Sequence, residues 1–292
     1  MTRIAYVDGR FVRLHEPAVA AEDRGFQFGD GVYEMVKVVD GIPRDLDRHL
    51  ARLARSLAEL GMTMPTSPAV LRAVAREVIR RNPLARATLY LQITRGTAPR
   101  AHPFPAGVRP TLVVAVRRAL FPAAGERARG VAVALAPDLR WQRRDIKSTN
   151  LLPNLLARQR AVERGFREAW FVESDGTVTE ATAANVFLVD GTGRLVTHPA
   201  DRRILGGITR AVVLELARAA GIPVEERPFR VEELATAREA FLTGTTSLVL
   251  PVVRVEDRTV GDGRPGPVTR LLGRLYAEHS GLADLAGDYA QG

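Results

Sequence analysis

Apolar residues recur at helical spacing in residues 47–60 and 68–81, and each segment is predicted to be an amphipathic helix. Alternation of apolar and polar residues predicts a strand over residues 87–94. Asp-Gly pairs at positions 8–9 and 40–41 predict tight hairpin turns, because both residue types tolerate positive φ. The pattern continues with predicted helices at 151–165, 206–220 and 268–280, and with strands at 131–135, 168–173, 185–189, 195–199, 224–227, 240–243 and 248–255.

The order of these elements predicts the fold class. Runs of strands are followed by helices instead of alternating in regular β-α-β units, which indicates an α+β protein with sheets rich in antiparallel pairs. A length of 292 residues fits two modest domains. The polar, turn-rich segment that begins near Pro122 is the best linker. We therefore expect a small α+β domain at 1–120, a linker at 121–127 and a larger α+β domain at 128–292.

Composition narrows the function classes. The chain has no cysteine, which excludes disulfides and thiolate chemistry. It has no apolar run of about 18 residues, so no transmembrane helix and no membrane partner are expected. Residues 1–9 predict a strand and a turn instead of a signal peptide, and a cytoplasmic location is the expectation. The histidines show no metal-ligand spacing, so no metal site is predicted.

The net charge of +9 and a pI of about 10.7 raise the question of nucleic acid as a partner. The arginines, however, are spread along the chain and often stand at helical spacing from glutamates. They form no basic stripe interleaved with aromatic residues and no basic tail. Nucleic-acid binding is therefore not predicted, and an anionic small ligand stays open.

Lysine use singles out one position. Of the 42 Lys and Arg residues only two, Lys37 and Lys147, are lysines. Arginine cannot replace lysine as an amine nucleophile, because its guanidinium stays protonated. Three cations precede Lys147 at positions 140, 143 and 144, and nearby cations lower the pKa of an amine that must attack a carbonyl. The alternative is a solvated lysine at the end of a basic loop, and composition alone leaves both interpretations open.

Two hydroxyl-rich segments could bind an anion. Gly206 and Gly207 precede Ile208 and Thr209 at the start of a predicted helix, where free N–H groups and the helix dipole attract negative charge. A loop with Thr245 follows a predicted strand and could add donors to the same anion. Ordinary helix capping and an ordinary turn are the alternatives.

Two further positions carry candidate chemistry. Glu180 stands at a strand end before small residues, where a flat ring could approach the backbone and a carboxylate could keep a pyridine nitrogen protonated. Arg100 and His102 lie two apart in a proline-braced loop, a pairing that suits a carboxylate ligand. A solvated turn residue and a plain surface loop are the alternatives.

Five segments in chain order together resemble the class IV (fold-type IV) aminotransferases, which depend on pyridoxal 5'-phosphate (PLP). They cover residues 22–34, 94–102, 140–148, 177–187 and 207–210, and the resemblance extends from residue 4 to about 280. The subfamily with the greatest similarity is that of the D-amino acid aminotransferases, which share the Arg-x-His pair of residues 100–102. Two places differ from the family pattern: Ala183 and Ala184 fall in an expected serine-rich run, and Gly244 stands where a serine is expected.

The resemblance implies a role for each candidate. Lys147 would form the Schiff base with PLP, Glu180 would face the pyridine nitrogen, and Tyr33 would lie beside the lysine. It also implies a cofactor between the two domains and a homodimer, because the substrate carboxylate would be held by Tyr33 and by Arg100 and His102 of the partner subunit. The other residues implied in cofactor binding are Arg52, Ile208, Thr209 and Thr245 at the phosphate, and Leu205 on the ring.

The expected reaction is the transfer of an amino group between a D-amino acid of the D-alanine or D-glutamate type and a 2-oxo acid such as 2-oxoglutarate or pyruvate. Three alternatives stay open on the sequence. A branched-chain L-amino acid aminotransferase and an (R)-amine transaminase share the scaffold, and a non-catalytic anion-binding module would explain the loops but not the lone Lys147.

Overall fold

The computed structural model describes residues 3–16 and 18–290. Residues 1–2, 17 and 291–292 lie outside the described residues. They include the start of the predicted small domain and the end of the predicted large domain. By its internal contacts the chain divides into two units: unit 1 is Met1–Leu120 with Ile146–Leu151, and unit 2 is Phe121–Asp145 with Leu152–Gly292. Each unit combines a sheet with helices, which confirms the predicted mixture of α and β structure. The short segment with Lys147 thus belongs to unit 1, and the domain boundaries given above stay a prediction.

In its described residues, unit 1 is a six-stranded antiparallel sheet with three helices, and its strand order is β2-β1-β6-β5-β3-β4. The two predicted hairpin turns are confirmed, with positive φ at Asp8 and Asp40. The elements of unit 1 are β1 Ile4–Val7, β2 Arg10–Arg13, α1 Arg24–Phe28, β3 Gly31–Val39, β4 Ile42–Pro43, α2 Leu46–Glu59, α3 Pro68–Arg81, β5 Arg86–Thr94 and β6 Thr111–Arg118.

The two faces of strand β3 have different surroundings, and one of them packs into the core of unit 1. Val32 and Val36 pack into one apolar cluster with Leu53 and Leu57 of α2. Because side chains alternate along a strand, Glu34 points to that same face, whereas Tyr33 lies on the other. The central strand therefore places a carboxylate among the core residues and a phenol on the other side of the sheet.

Unit 2 is a ten-stranded mixed sheet in the order β12-β11-β10-β14-β15-β7-β8-β9-β13, with β16 paired to β15. Its parallel pairs are β7 with β8, β7 with β15, and β11 with β12. Antiparallel pairs predominate, as the sequence predicts. The elements are α4 Ala124–Arg129, β7 Val131–Pro137, α5 Leu152–Glu163, β8 Glu168–Val172, β9 Thr177–Ala181, β10 Asn185–Val189, β11 Leu195–Thr197, α6 Ile208–Ala219, β12 Val224–Glu226, β13 Phe229–Arg230, a 3₁₀ helix Val231–Ala235, β14 Glu239–Gly244, β15 Leu248–Val255, β16 Arg258–Thr259, α7 Pro267–His279 and a 3₁₀ helix Ala283–Tyr289.

Some short helical segments were not predicted from the sequence. The segment from residue 22 to 31, for which the sequence predicts no helix, contains helix α1, which Asp23 caps by accepting from the Gly25 N–H. Helix α4 begins at Ala124, inside the expected linker, and ends at Arg129, beyond it. The segment after the predicted helix 268–280 forms a 3₁₀ helix at Ala283–Tyr289, and the buried Tyr289 donates from its hydroxyl to the Val249 carbonyl at 2.8 Å. These elements are short, so a few tertiary contacts outweigh their weak local pattern.

Within the described part of the chain, every helix is too short or too polar to cross a membrane.

The buried lysine of unit 1 leads to a prediction about stability. Lys37 of β3 is 2% exposed, and burial lowers its pKa to about 7, with Asp45 opposing the change and Arg44 adding to it. Between pH 7 and 10.5 the unfolded chain then binds a proton that the folded chain does not, so the free energy of unfolding rises with pH in this window. The expected rise is up to about 4 kcal/mol.

Denaturant unfolding of the cofactor-free protein at pH 7 and pH 10 measures this rise. In Lys37→Met the rise should disappear, whereas in the matched variant Lys147→Met it should remain. An unchanged pH dependence in Lys37→Met would assign the effect to another group.

Candidate active site

The backbone around Lys147 is fixed by unit 1. The Tyr33 N–H donates to the Lys147 carbonyl at 3.0 Å, and the Lys147 N–H donates to Ser56 Oγ at 3.3 Å. Next to it, the Thr149 N–H donates to the Gly31 carbonyl at 3.0 Å, so this segment pairs with the start of β3. The Lys147 side chain is half-buried, with Nζ 4.3 Å from the centre of the Tyr33 ring. Lys147 is therefore not a solvated lysine at the end of a loop.

A buried polar stripe runs along helix α2. His49, Arg52 and Ser56 are spaced by three and four residues, which places them on one helix face, and all three are buried. Glu34 lies against this stripe. Its Oε1 accepts from Arg52 Nε at 2.8 Å, and its Oε2 accepts from Arg52 Nη2 at 2.8 Å. His49 Nδ1 lies 2.6 Å from the same Oε2.

Burial and the contacts within this cluster determine the charges of Glu34 and His49. Burial alone would raise the pKa of Glu34, but the adjacent Arg52 and the hydrogen bonds from Arg52 and His49 lower that pKa to about 2. Burial lowers the pKa of His49, against the effect of Glu34, and the positive charges of Arg52 and Lys147 add to the lowering. At neutral pH, Glu34 is therefore an anion and His49 is a neutral ring that donates from Nδ1.

Unit 2 holds Glu180 at the buried end of β9. Glu180 Oε1 accepts from Arg140 Nη1 at 2.5 Å, and Oε2 accepts from Asn185 Nδ2 and the Leu205 N–H, both at 3.1 Å. Asp138 in turn accepts from Arg140 Nε at 3.0 Å and from Nη2 at 2.8 Å. Burial raises the pKa of Glu180, and the Arg140 guanidinium opposes that rise. The result is a carboxylate with a fixed orientation and a cation beside it.

Helix α6 begins close to this carboxylate. Its N-cap is Gly207, which has no side chain to cap the first turn formed by Ile208 and Thr209. A Cβ at Gly207 would lie 2.0 Å from Asn185 Oδ1, so only glycine fits there. Asn185 Nδ2 also donates to the Leu205 carbonyl at 2.8 Å, and the side chain thereby ties Glu180 to the segment before α6.

The remaining hydroxyls of the predicted anion site belong to unit 2. The Thr209 hydroxyl lies 2.9 Å from the hydroxyl of Tyr276, which is buried. Thr245 is half-buried in the turn between β14 and β15, directly after Gly244. A Cβ at Gly244 would lie 3.3 Å from the Ala183 carbonyl, so the two places that differ from the family pattern are neighbours.

The loop between β5 and β6 brings Arg100 and His102 together on one aromatic ring. The Arg100 guanidinium lies 4.8 Å from the centre of the Phe28 ring, and the His102 ring centre lies 5.9 Å from it. Buried Arg24 donates to the carbonyls of Ala101 and His102 at 2.6 and 3.4 Å. Both side chains are exposed while their backbone is held.

Sequence reasoning missed several members of these clusters. Glu34 stands between Val32 and Val36 on the apolar side of a strand, and His49 and Ser56 stand on the buried face of an amphipathic helix. A polar residue at an apolar position of the pattern was the available signal. Asp138 and Asn185 gave no such signal, because each also needs a distant partner that only folding brings close: the Thr179 hydroxyl for Asp138 and the Leu205 carbonyl for Asn185.

Within residues 3–16 and 18–290, no three His, Asp or Glu side chains are grouped to hold a metal ion.

Comparisons with known proteins identify the family of this chain. The family model described as amino-transferase class IV matches residues 31–255. The chain is 43% identical to a D-alanine aminotransferase from Bacillus licheniformis over 90% of this chain and 92% of that protein. Among solved structures, the branched-chain amino acid aminotransferase from Escherichia coli is 26% identical with a TM-score of 0.88 and covers 97% of this chain and 96% of its own.

A second solved structure, a hypothetical aminotransferase from Mycobacterium tuberculosis in a PLP-bound form, is 25% identical with a TM-score of 0.83 and covers 94% of this chain and 98% of its own. The family model spans most of the chain, and the relative from Bacillus licheniformis is similar along nearly all of it. This chain therefore belongs to the class IV aminotransferases, with their fold-type IV architecture.

Proposed function

We propose that this enzyme uses PLP to transfer the amino group of a D-amino acid, of the D-alanine or D-glutamate type, to 2-oxoglutarate or pyruvate. The observation that carries the proposal is the position of Lys147, whose backbone is hydrogen-bonded on both sides and whose amine lies over Tyr33. The 43% identical relative bears the name D-alanine aminotransferase, and the similar structure from Mycobacterium tuberculosis is a PLP-bound form.

The donors of each unit fit PLP. Unit 1 offers a half-buried primary amine at Lys147, and unit 2 offers a buried carboxylate at Glu180 that already accepts three hydrogen bonds. Gly207 leaves the first turn of α6 without a side-chain cap, which suits a phosphate group. Thr209 and Thr245 add hydroxyls, Arg52 adds a guanidinium, and Leu205 adds an apolar contact for the ring. These residues would hold the aldehyde end, the ring and the phosphate.

The chain's own residues then have defined tasks. When bound, PLP supplies an electron sink for the electrons left at the substrate Cα. Lys147 Nζ takes the proton from that Cα and returns it later as a general acid. The Glu180 carboxylate, oriented by Arg140 and Asn185, would hold a proton on the nitrogen of the PLP ring. Two half-reactions in sequence, first with the amino acid and then with the 2-oxo acid, complete one transfer.

Recognition of the substrate carboxylate is assigned to Tyr33 and to Arg100 and His102 from the partner of a homodimer. Arg100 and His102 both contact the Phe28 ring and are exposed, which suits binding of a substrate carboxylate in the site of the partner protomer. Three points then fix the substrate Cα: its amino group, its carboxylate and its side chain. With the Cα fixed in this way, Lys147 would reach the Cα proton of only one enantiomer.

The turnover of a D-amino acid compared with that of an L-amino acid tests the proposal. D-Alanine with 2-oxoglutarate should react faster than L-leucine with 2-oxoglutarate in the PLP-loaded protein. The structural similarity to a branched-chain aminotransferase makes L-leucine the relevant rival substrate. Faster turnover of L-leucine would replace the proposal by the branched-chain activity, and no turnover of either would leave the anion-binding module.

Removal of the arginine that binds the carboxylate has a specific expected result. Arg100→Ala should raise the KM for D-alanine by about tenfold or more, the loss expected for a charge-assisted hydrogen bond. Any turnover of 1-phenylethylamine, which has no carboxylate, should stay unchanged. Arg109→Ala is the control, since Arg109 is an exposed arginine of the same loop. Unchanged D-alanine kinetics in Arg100→Ala would contradict the assignment.

Mixing of two impaired variants tests the partner's role. In a hybrid of Lys147→Ala and Arg100→Ala protomers, the protomer that keeps Lys147 would receive Arg100 from its partner. At a D-alanine concentration well below the raised KM of Arg100→Ala, activity should therefore rise above the sum of the two separate variants on mixing. If Arg100 served the site of its own protomer, the hybrid would contain no intact site and activity would stay low.

A further inference from the structure

Glu34 is a buried carboxylate that takes part in no step of the proposed reaction. It is 0% exposed and shares its strand face with Val32 and Val36 of the apolar core. A buried carboxylate is tolerated only where charges and hydrogen bonds compensate its loss of water. Arg52 and His49 supply that compensation here.

The pairing with Arg52 is bidentate and therefore directional. The two oxygens of Glu34 bond Nε and Nη2 along one edge of the guanidinium, both at 2.8 Å. Such a pair fixes the plane of the guanidinium as well as its position. The edge that carries Nη1 is consequently turned away from Glu34 in a single orientation, although the arginine side chain by itself has many rotamers.

The same helix face fixes Lys147. Arg52 lies between His49 and Ser56 on α2, three residues after the first and four before the second. Ser56 Oγ accepts a hydrogen bond from the backbone N–H of Lys147. The positive charge of Lys147 is also one of the causes that lower the pKa of His49. The arginine and the lysine are therefore held by neighbouring positions of one rigid helix.

We propose that Glu34 is a positioning residue that acts through Arg52: it fixes the guanidinium in the orientation that binds the phosphate of PLP, at a set place relative to Lys147. This inference rests on the proposed function, in which Arg52 is a phosphate ligand. The charge of Glu34 is the essential property, because a neutral side chain of the same shape cannot maintain the bidentate ion pair.

Comparison of PLP with pyridoxal, which lacks the phosphate, tests the proposal. The cofactor-free protein is titrated with each compound, and the dissociation constant is read from the absorbance change on binding. In Glu34→Gln the dissociation constant for PLP should rise by about tenfold or more, whereas that for pyridoxal should stay within about twofold. Equal weakening of both compounds, or no weakening of either, would overturn the proposal.

A double variant shows whether Glu34 acts through Arg52. In the Arg52→Gln background, a further Glu34→Gln change should cause no additional loss of PLP affinity, because the group that Glu34 orients is already missing. This pair removes both buried charges together, so it keeps the test valid if Glu34→Gln alone does not fold. An additional loss specific to PLP would show that Glu34 acts by another route.

Glu77→Gln is the matched control. Glu77 also pairs with two arginines, Arg80 and Arg81, but on the exposed surface of α3, and its replacement should leave both dissociation constants unchanged. Borohydride treatment of the wild type separates the two proposals. If PLP attaches to Lys147 but Glu34→Gln still prefers PLP over pyridoxal to the wild-type extent, only the role of Glu34 is overturned. If PLP does not bind at all, both proposals fall.

Discussion

Lys147→Ala is expected to reduce transamination by at least about a thousandfold, because the variant loses both the amine that reacts with the cofactor and the base that moves the Cα proton. The fold should survive. The backbone bonds of residue 147 to Tyr33 and Ser56 do not need the side chain, and the contact of Nζ with the Tyr33 ring is worth only about 0.5–1 kcal/mol. Turnover and thermal unfolding of the same preparation measure the two effects.

The second lysine provides the control for this prediction. Lys37 is the other lysine of the chain, and burial lowers its pKa to about 7, so by its pKa alone it would be a candidate nucleophile. It is only 2% exposed, however, so a cofactor cannot reach its amine. Borohydride reduction with PLP should therefore label a peptide with Lys147 and not one with Lys37. Label on Lys37, or near wild-type turnover in Lys147→Ala, would refute the assignment.

Glu180→Gln is expected to lower turnover by about a hundredfold or more, because a neutral amide cannot hold a proton on the ring nitrogen. The shape of the side chain is retained, and hydrogen bonds to Asn185 and the Leu205 N–H can in part be kept, so binding of PLP should change much less than turnover. Single-turnover rates with D-alanine, together with PLP titration, separate these two quantities.

A buried glutamate elsewhere in the same sheet provides the comparison. Glu239 is 5% exposed and accepts from the N–H groups of Val268 and Thr269 at the start of α7. Glu239→Gln should reduce stability and leave the chemical step nearly unchanged. A loss of less than about tenfold in Glu180→Gln, roughly 1.4 kcal/mol in the barrier, would mean that another group protonates the ring.

Prediction from the sequence succeeded where the signal is local. The hairpins at Asp8 and Asp40 follow from residue types that accept positive φ, and helix α3 begins and ends where its apolar spacing does. The short helix α1 and the helix α4 were missed because five or six residues carry too little periodicity. The proposed roles of all the site residues, those of Lys147 and Glu180 included, stay predictions.

The sequence by itself determined the family and the lysine that stands out. Retention of one lysine in a basic loop of an arginine-rich chain, with motifs in register on both sides, needs no coordinates to be noticed. It also determined most strands and helices, because apolar periodicity is a property of neighbouring residues.

Only the tertiary structure decided which charges meet. The Lys147 N–H bonds a serine 91 residues away, and Arg140, which the sequence places before Lys147, pairs instead with Glu180, 40 residues further on. Glu34 becomes an anion in the core only because Arg52 and His49 fold against it. Hydrogen bonds between distant residues leave no periodic trace in the chain, and burial sets the strength of each charge, so both become known only when the strands and helices are packed.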